Sequence, residues 1–343
     1  MAGDERDRII RLLISRGARA EELTGSDMEL FEAGMDVLYR PETPTLTIDE
    51  VASRCGVAPD EVMALWRAFG LPTPEPGAVD YGEADVRLIT RMHDVGALFG
   101  PDASLSMARV AGASMARLAD AGTSSFVTTQ AVPFVDGEVP YAALEVNVLV
   151  ADSLESFMDA LETLFRRHLL AVRRTVESVE EFGPETQDLV VVFADLVDST
   201  RMADDLGLRR LSAAIDRFEA TATDIIVGHG GRVAKFIGDE VMYVHADAGA
   251  AIEAGRALLA ADADLPPMRI GVDGGQVLTR DGDFFGPVVN VAARATSLAT
   301  EGTILVTDRV VDRLGGHIDS TPCGSLDVRG HGEVSFSEIR PDQ

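Results

Sequence analysis

Between residues 188 and 311 the hydrophobic pattern changes period again and again, and that alternation limits the fold more than any other feature of the chain. "DLVVVFADLV" (188–197) is a short apolar run bounded by charge, which reads as a buried strand. "LRRLSAAIDRFEATATDIIVGHGG" then reads as a long helix ending at glycines, and "RVAKFIG" and "DEVMYVHA" as two strands around a tight turn. "AGAAIEAGRALLAA" is helical, "MRIGVDGGQVL" a strand, "VVNVAARATSLA" helical and "GTILVTDRVV" a strand. The order β-α-β-β-α-β predicts a ferredoxin-like α+β plan, a mostly antiparallel sheet with its helices on one face.

The first half of the chain reads as helical. "RDRIIRLLISRGA" and "AEELTGSDMELFEAGMDVLYR" space their apolar residues for one helix face, and "RPETPT" breaks the pattern with two prolines. Thr47 is placed to cap a short helix, "IDEVASRC"; Gly56 turns the chain and "APDEVMALWRAFG" begins a second helix. That spacing is a helix-turn-helix and resembles the MerR-like winged helix. DNA binding is the functional reading of the unit and helix packing the structural one. Residues 45–93 carry four arginines against eight acids, so this surface repels phosphates and the structural or regulatory reading is preferred, with Trp66 as a core anchor. Two more helical stretches follow, "SLSMARVAGASMARLADAG" and a longer one over about 153–182 that suits a connecting or dimerising role, closed by "GPE". The expected division is a helical regulatory domain over 1–152, a connecting helix over 153–183 and an α+β domain over 184–343.

Charge and cysteine content exclude several classes of protein. The formal net charge of −27 disfavours nucleic acid and anionic lipid as general partners. Cys55 and Cys323 form no framework or metal pattern, which suits a reducing cytoplasm. The N-terminus interleaves charge with apolar residues, so neither a signal peptide nor a membrane span is expected.

The acidic residues at the strand ends carry the chemistry. Asp195 closes a buried strand and Asp239 sits at a hairpin tip. If those strands are neighbours, the two carboxylates meet at one sheet edge and, with a backbone carbonyl, make an oxygen-rich site for Mg²⁺ or Mn²⁺. Taken singly, Asp195 also reads as a helix cap and Asp239 as a turn residue.

Taken together, "FADLVDST", "KFIGDEVM", "MRIGVDGGQV", "DFFGPVVNVAAR" and "VRGHG" occur in an order that resembles the class III nucleotidyl cyclases over about residues 187–340. The resemblance implies that Asp195, Asp239 and the carbonyl of Leu196 hold two divalent ions per site. It implies that Lys235 and Asp283 read the base, with ATP favoured because an ammonium donates to adenine N1 and a carboxylate accepts from the exocyclic amine. It makes Asn290 the residue that orients the ribose and Arg294 the one that stabilises charge on the α-phosphate; spaced by four, they share a helix face. Arg269 and Arg329 fall on phosphate-contacting positions, Arg329 where the family usually has lysine. Asp198-Ser199 stands where the family often has Gly-Phe. The implied reaction makes cyclic AMP and pyrophosphate at sites shared across a head-to-tail homodimer, each chain supplying both halves. Likeness in layout to cyclases of actinobacterial type implies autoinhibition or activation through the N-terminal domain, with a proton or a lipid-like ligand as signal and His93 and His168 as pH-responsive groups. The rivals are a ligand-responsive DNA-binding regulator with a dead cyclase domain, and a diguanylate cyclase, whose Gly-Gly-Asp/Glu-Glu-Phe hairpin differs from "IGDEV".

Overall fold

The computed structural model describes residues 3–129, 141–176, 185–197, 208–261, 265–328 and 330–340. The chain divides into two compact units, Met1–Val172 and Arg173–Gln343.

The first unit is helical: α1 (Gly3–Ser15), α2 (Asp27–Tyr39), α3 (Ile48–Cys55), α4 (Pro59–Ala68), α5 (Glu83–Phe99), α6 (Pro101–Thr129) and α7 (Tyr141–Val176). Local chemistry sets the boundaries. Ser26 caps α2 and Thr47 caps α3, each in a reciprocal box with a glutamate three residues on, Glu29 and Glu50. Gly56, at φ 71°, ends α3 in the left-handed conformation that lets α4 start after a short turn. One apolar cluster joins Val51, Val62, Leu65, Tyr81 and Ile89; another joins Ile9, Leu13, Leu30, Val37 and Leu144. Trp66 packs its ring edge-on against Tyr81, centroids 4.9 Å apart, and donates Nε1–H to the Pro72 carbonyl at 2.8 Å. It is a core anchor. Helix α7 begins at Tyr141, not near 153, because Leu144 and Asn147 already pack as its first turns. The expected end of that helix beyond 176 lies outside the described residues.

The second unit is built on one mixed sheet. Its strands are β1 (Thr186–Leu196), β2 (Arg232–Ile237), β3 (Glu240–His245), β4 (Met268–Arg280), β5 (Asp283–Phe285), β6 (Ile304–Thr307), β7 (Thr321–Val328) and β8 (Gly332–Ile339), in the order β2-β3-β1-β4-β6-β8-β7, with β5 folded back on β4. The β2-β3-β1-β4 part is antiparallel throughout, as a ferredoxin-like core requires, and β6 joins β4 in parallel. The helices are α8 (Leu208–Gly228), α9 (Ala248–Leu259), α10 (Pro287–Leu298) and α11 (Asp308–Leu314).

Two expectations are corrected. The helices do not share one face. Even-numbered residues of β1 (Val190, Val192, Ala194) pack under α8 and α9, while odd-numbered ones (Leu189, Val191, Phe193) pack under α10 on the other side. Gly271 makes that second layer fit: a Cβ there would lie 2.0 Å from the Thr296 backbone nitrogen and 2.5 Å from the Ala292 carbonyl of α10. "GTILVTDRVV" is not one strand either. β6 stops at Thr307 and α11 follows, because the apolar spacing after Thr307 puts Val310 and Leu314 one turn apart on the core face. The terminal hairpin β7–β8 completes the sheet.

Candidate active site

At one end of the sheet, three adjacent strands each present a charged residue on the face that α10 covers. Asp195 at the end of β1 lies opposite Glu240 of β3 and Arg269 of β4. Arg269 donates Nε–H and Nη2–H to Asp195 Oδ2 at 2.8 and 2.6 Å. Next to this row the β2–β3 turn places Gly238, at φ 66°, and Asp239 at the tip. The Leu196 backbone N–H donates to the Asp239 carbonyl at 3.2 Å, which ties the end of β1 to the tip. Asp195, Leu196 and Asp239 are therefore brought together. Glu240 joins them, and the motif reading had left it without a role. Period-two alternation puts it on the face of Met242 and Val244, and that was the available signal. Burial first, then the charges of Asp195 and Asp239, push the Glu240 carboxyl up to about 7, with Arg269 opposing.

This donor set fits a hard cation. It is all oxygen; burial first, and then the neighbouring carboxylates, favour a proton on Glu240, while Arg269 supplies positive charge to Asp195. Among the described residues no group of three or more His, Cys, Asp or Glu side chains closes round an ion.

Lys235 and Asp283 meet directly, Nζ to Oδ2 at 2.5 Å, each about a third exposed. A β-bulge makes the meeting possible. Arg232 pairs with Val244 and Val233 with Tyr243, but Lys235 pairs with Met242, so the register slips by one at Ala234. Asp283 is held by the Phe284 N–H, which donates to Oδ1 at 2.8 Å. Phe284 is buried under the Arg232 guanidinium, 4.7 Å from its ring centroid. Neither Arg232 nor Phe284 figured in the sequence reading.

Asn290 and Arg294 lie on the exposed side of α10, one turn apart, while Val288, Val291, Ala292 and Ala295 face the core. Among the described residues neither side chain forms a hydrogen bond or ion pair with the groups above. Arg329, Asp198, Ser199 and Thr200 lie outside the described residues. A further carboxylate, Asp273, is fully buried in "MRIGVDGG". It accepts from Thr307 Oγ1 and Arg309 Nη2, both at 2.6 Å, and from the Gly274 N–H at 2.8 Å. Burial raises its pKa and these bonds oppose the rise.

The structure thus sets Asp195 and Asp239 at one end of a ferredoxin-like core and joins Lys235 to Asp283 beside them. Residues 183–338 match the family described as the adenylate and guanylate cyclase catalytic domain. A Streptomyces coelicolor protein named adenylate cyclase is 33% identical over 275 residues, 77% of this chain and 70% of that protein. A Mycobacterium tuberculosis protein named pH-sensitive adenylate cyclase is 25% identical over 91% of this chain and 80% of its own length. Among solved structures, the adenylyl cyclase CyaB from P. aeruginosa aligns with 46% of this chain and 96% of its own, at 24% identity and a TM-score of 0.41. The chain belongs to the class III adenylyl cyclases of the actinobacterial and mycobacterial type.

Proposed function

We propose that the chain converts ATP to 3′,5′-cyclic AMP and pyrophosphate by attack of the ribose 3′-oxygen on the α-phosphorus, at two sites shared across a head-to-tail homodimer. The observation that carries this reading is the Lys235–Asp283 pair, a donor and an acceptor set side by side at the polarity of the adenine edge. The ion pair keeps both groups aligned until the base enters between them, and guanine would meet each with the wrong polarity. Asp195, Asp239 and the Leu196 carbonyl would hold the divalent ions, Mg²⁺ or Mn²⁺, two per site. When bound, such ions lower the pKa of the 3′-hydroxyl and neutralise phosphate charge. Arg269, released from Asp195, turns to the phosphates, with Arg329 on the terminal ones. Asn290 orients the ribose, and Arg294 stabilises charge on the α-phosphate.

The exposure of Asn290 and Arg294, away from the aspartates of their own chain, supports a site completed by a second chain. The N-terminal domain, 1–152, and the connecting segment, 153–183, regulate the catalytic domain, 184–343, through a proton or a lipid-like ligand. A relative named pH-sensitive supports the proton, and His93 Nδ1, 2.8 Å from Glu61 Oε1, is a group that such a signal would engage. The MerR-like pair α3–α4 serves there as a packing module without nucleic acid. Among the described residues no helix is long and apolar enough to cross a membrane.

The test is cyclic nucleotide production by the full chain from ATP or GTP, with Mn²⁺ or Mg²⁺. Cyclic AMP from ATP is expected, absent in Asp239→Ala and in Arg294→Ala and regained when the two variants are mixed. Cyclic GMP from GTP in excess of cyclic AMP, or no regain on mixing, refutes the base assignment or the shared site respectively.

A further inference from the structure

The long helix α7 carries a surface that the chain itself leaves uncovered. Over 151–173 only Ala151 and Leu161 are as much as half-buried among the described residues. Yet the segment is amphipathic. At about 100° per residue, Leu154, Phe157, Leu161, Phe165, Leu169 and Val172 fall within a stripe about 120° wide, the width of a core-facing helix in a bundle. Phe165 is 60% and Phe157 49% exposed. Met158 and His168 also fall within it, at about 40° on either side of Leu154, and an exposed, mainly apolar stripe of this kind marks an interaction site.

The arrangement selects the partner. The six residues are mirror-placed about residue 163: Leu154 with Val172, Phe157 with Leu169, Leu161 with Phe165. The charges beside the stripe are not symmetric in this way. One flank holds Glu155, Asp159 and Glu162 in its first half and Arg166 and Arg173 in its second. In an antiparallel pair of helices, like flanks meet. The acidic half of one copy then lies along the basic half of the other, twice, while the mirrored apolar residues meet across the middle. In a parallel pair, unlike flanks meet, and Glu155 and Glu162 would face Ser153, Phe157 and Ala160. A surface that is apolar about its centre and complementary in charge end to end is self-complementary under a two-fold axis.

We infer that α7 is a docking surface for α7 of a second copy of this chain, packed antiparallel about residue 163. The inference concerns residues 151–173 alone and does not rest on the catalytic reading.

Cysteine cross-linking of the full chain tests it. In a background with Cys55→Ser and Cys323→Ser, Leu154→Cys and Val172→Cys are prepared separately, checked for native circular dichroism and oxidised with copper–phenanthroline, alone and mixed. An intermolecular disulfide in the mixture, with little from either variant alone, is the expected result. Equal self-cross-linking of each variant means parallel pairing and overturns the inference. No cross-link in any sample means that some other surface covers the stripe, and overturns it too. Adding Leu161→Asp and Phe165→Asp to both variants should abolish the mixed product; its persistence would show that the stripe does not bring the copies together, and would equally overturn the inference.

Discussion

Gly271→Ala should damage the second unit without touching the first, and its size can be worked from the contacts. The new Cβ would sit 2.0 Å from the Thr296 nitrogen, whereas real Cβ atoms essentially never come within 3.0 Å of such an atom. The obstacle is helix backbone, so no side chain can swing aside. Helix α10 must withdraw from the sheet by about 1 Å, and it takes Asn290 and Arg294 with it. Overpacking of a well-packed core costs about 1–3 kcal/mol and sometimes more; a rigid backbone contact belongs at the upper end, about 3 kcal/mol. With an m-value of about 1–3 kcal/mol/M, that lowers the urea midpoint by 1 M or more. A misplacement of about 1 Å in catalytic groups lowers turnover by about a hundredfold. The two units can be followed separately, because the sole tryptophan, Trp66, lies in the first. Far-ultraviolet circular dichroism should show the early loss of sheet and helix while the Trp66 fluorescence transition stays in place. Gly112→Ala should do the reverse, since its Cβ would lie 2.1 Å from the Phe69 carbonyl oxygen inside the first unit. An unchanged midpoint and turnover in Gly271→Ala would refute the claim that α10 is seated by this contact.

Lys235→Ala should raise the KM for ATP by about one to two orders of magnitude, about 1.4–2.8 kcal/mol, and narrow the ATP/GTP ratio with a smaller change in kcat; a pure kcat loss would remove Lys235 from base reading. In metal-free protein, Glu240 keeps its proton to about pH 7 when folded but loses it near 4.5 when unfolded. The folded form therefore binds the extra proton, so stability falls as pH rises from about 4.5 to 7 and levels off above. Glu240→Gln should flatten that part of the stability–pH curve, and an identical slope would refute the assignment. Thr47→Ala removes the α3 cap and should cost about 1 kcal/mol, read from the Trp66 fluorescence transition; no shift would mean that tertiary packing alone holds the start of α3.

The parts of this molecule that were legible in its sequence are those fixed by local rules. Thr47 and Gly56 bound α3 because a cap and a left-handed turn depend on residues three or four apart. The strands of the antiparallel core follow from apolar runs and glycine turns. The face that α10 takes was not legible, since "VVNVAARATSLA" is equally apolar on its inner side whichever side of the sheet it covers. Only the bare backbone at Gly271 decides it, and a glycine in a strand announces a close approach without saying of what.

The bulge at Ala234 shows the same limit at the site itself. Read with strict alternation, "RVAKFI" puts Val233, Lys235 and Ile237 on one face and Ala234 and Phe236 on the other. Val233 belongs to the face under α8 and α9, so that reading sends Lys235 into an apolar core, where an ammonium is costly. The slip at Ala234 reverses every residue after it. Phe236 turns inward and meets Phe218 edge-on, centroids 6.1 Å apart, while Lys235 moves to the face of Met242 and reaches Asp283. One extra residue thus satisfies two demands that alternation sets against each other, burying the aromatic ring and presenting the charge. Beyond the bulge the register runs unbroken to Ile237 and Glu240, so the same hairpin that aims Lys235 at one group of residues delivers Asp239 and Glu240 to another. Lys235 shares a face with Glu240 only because the strand is irregular just before it.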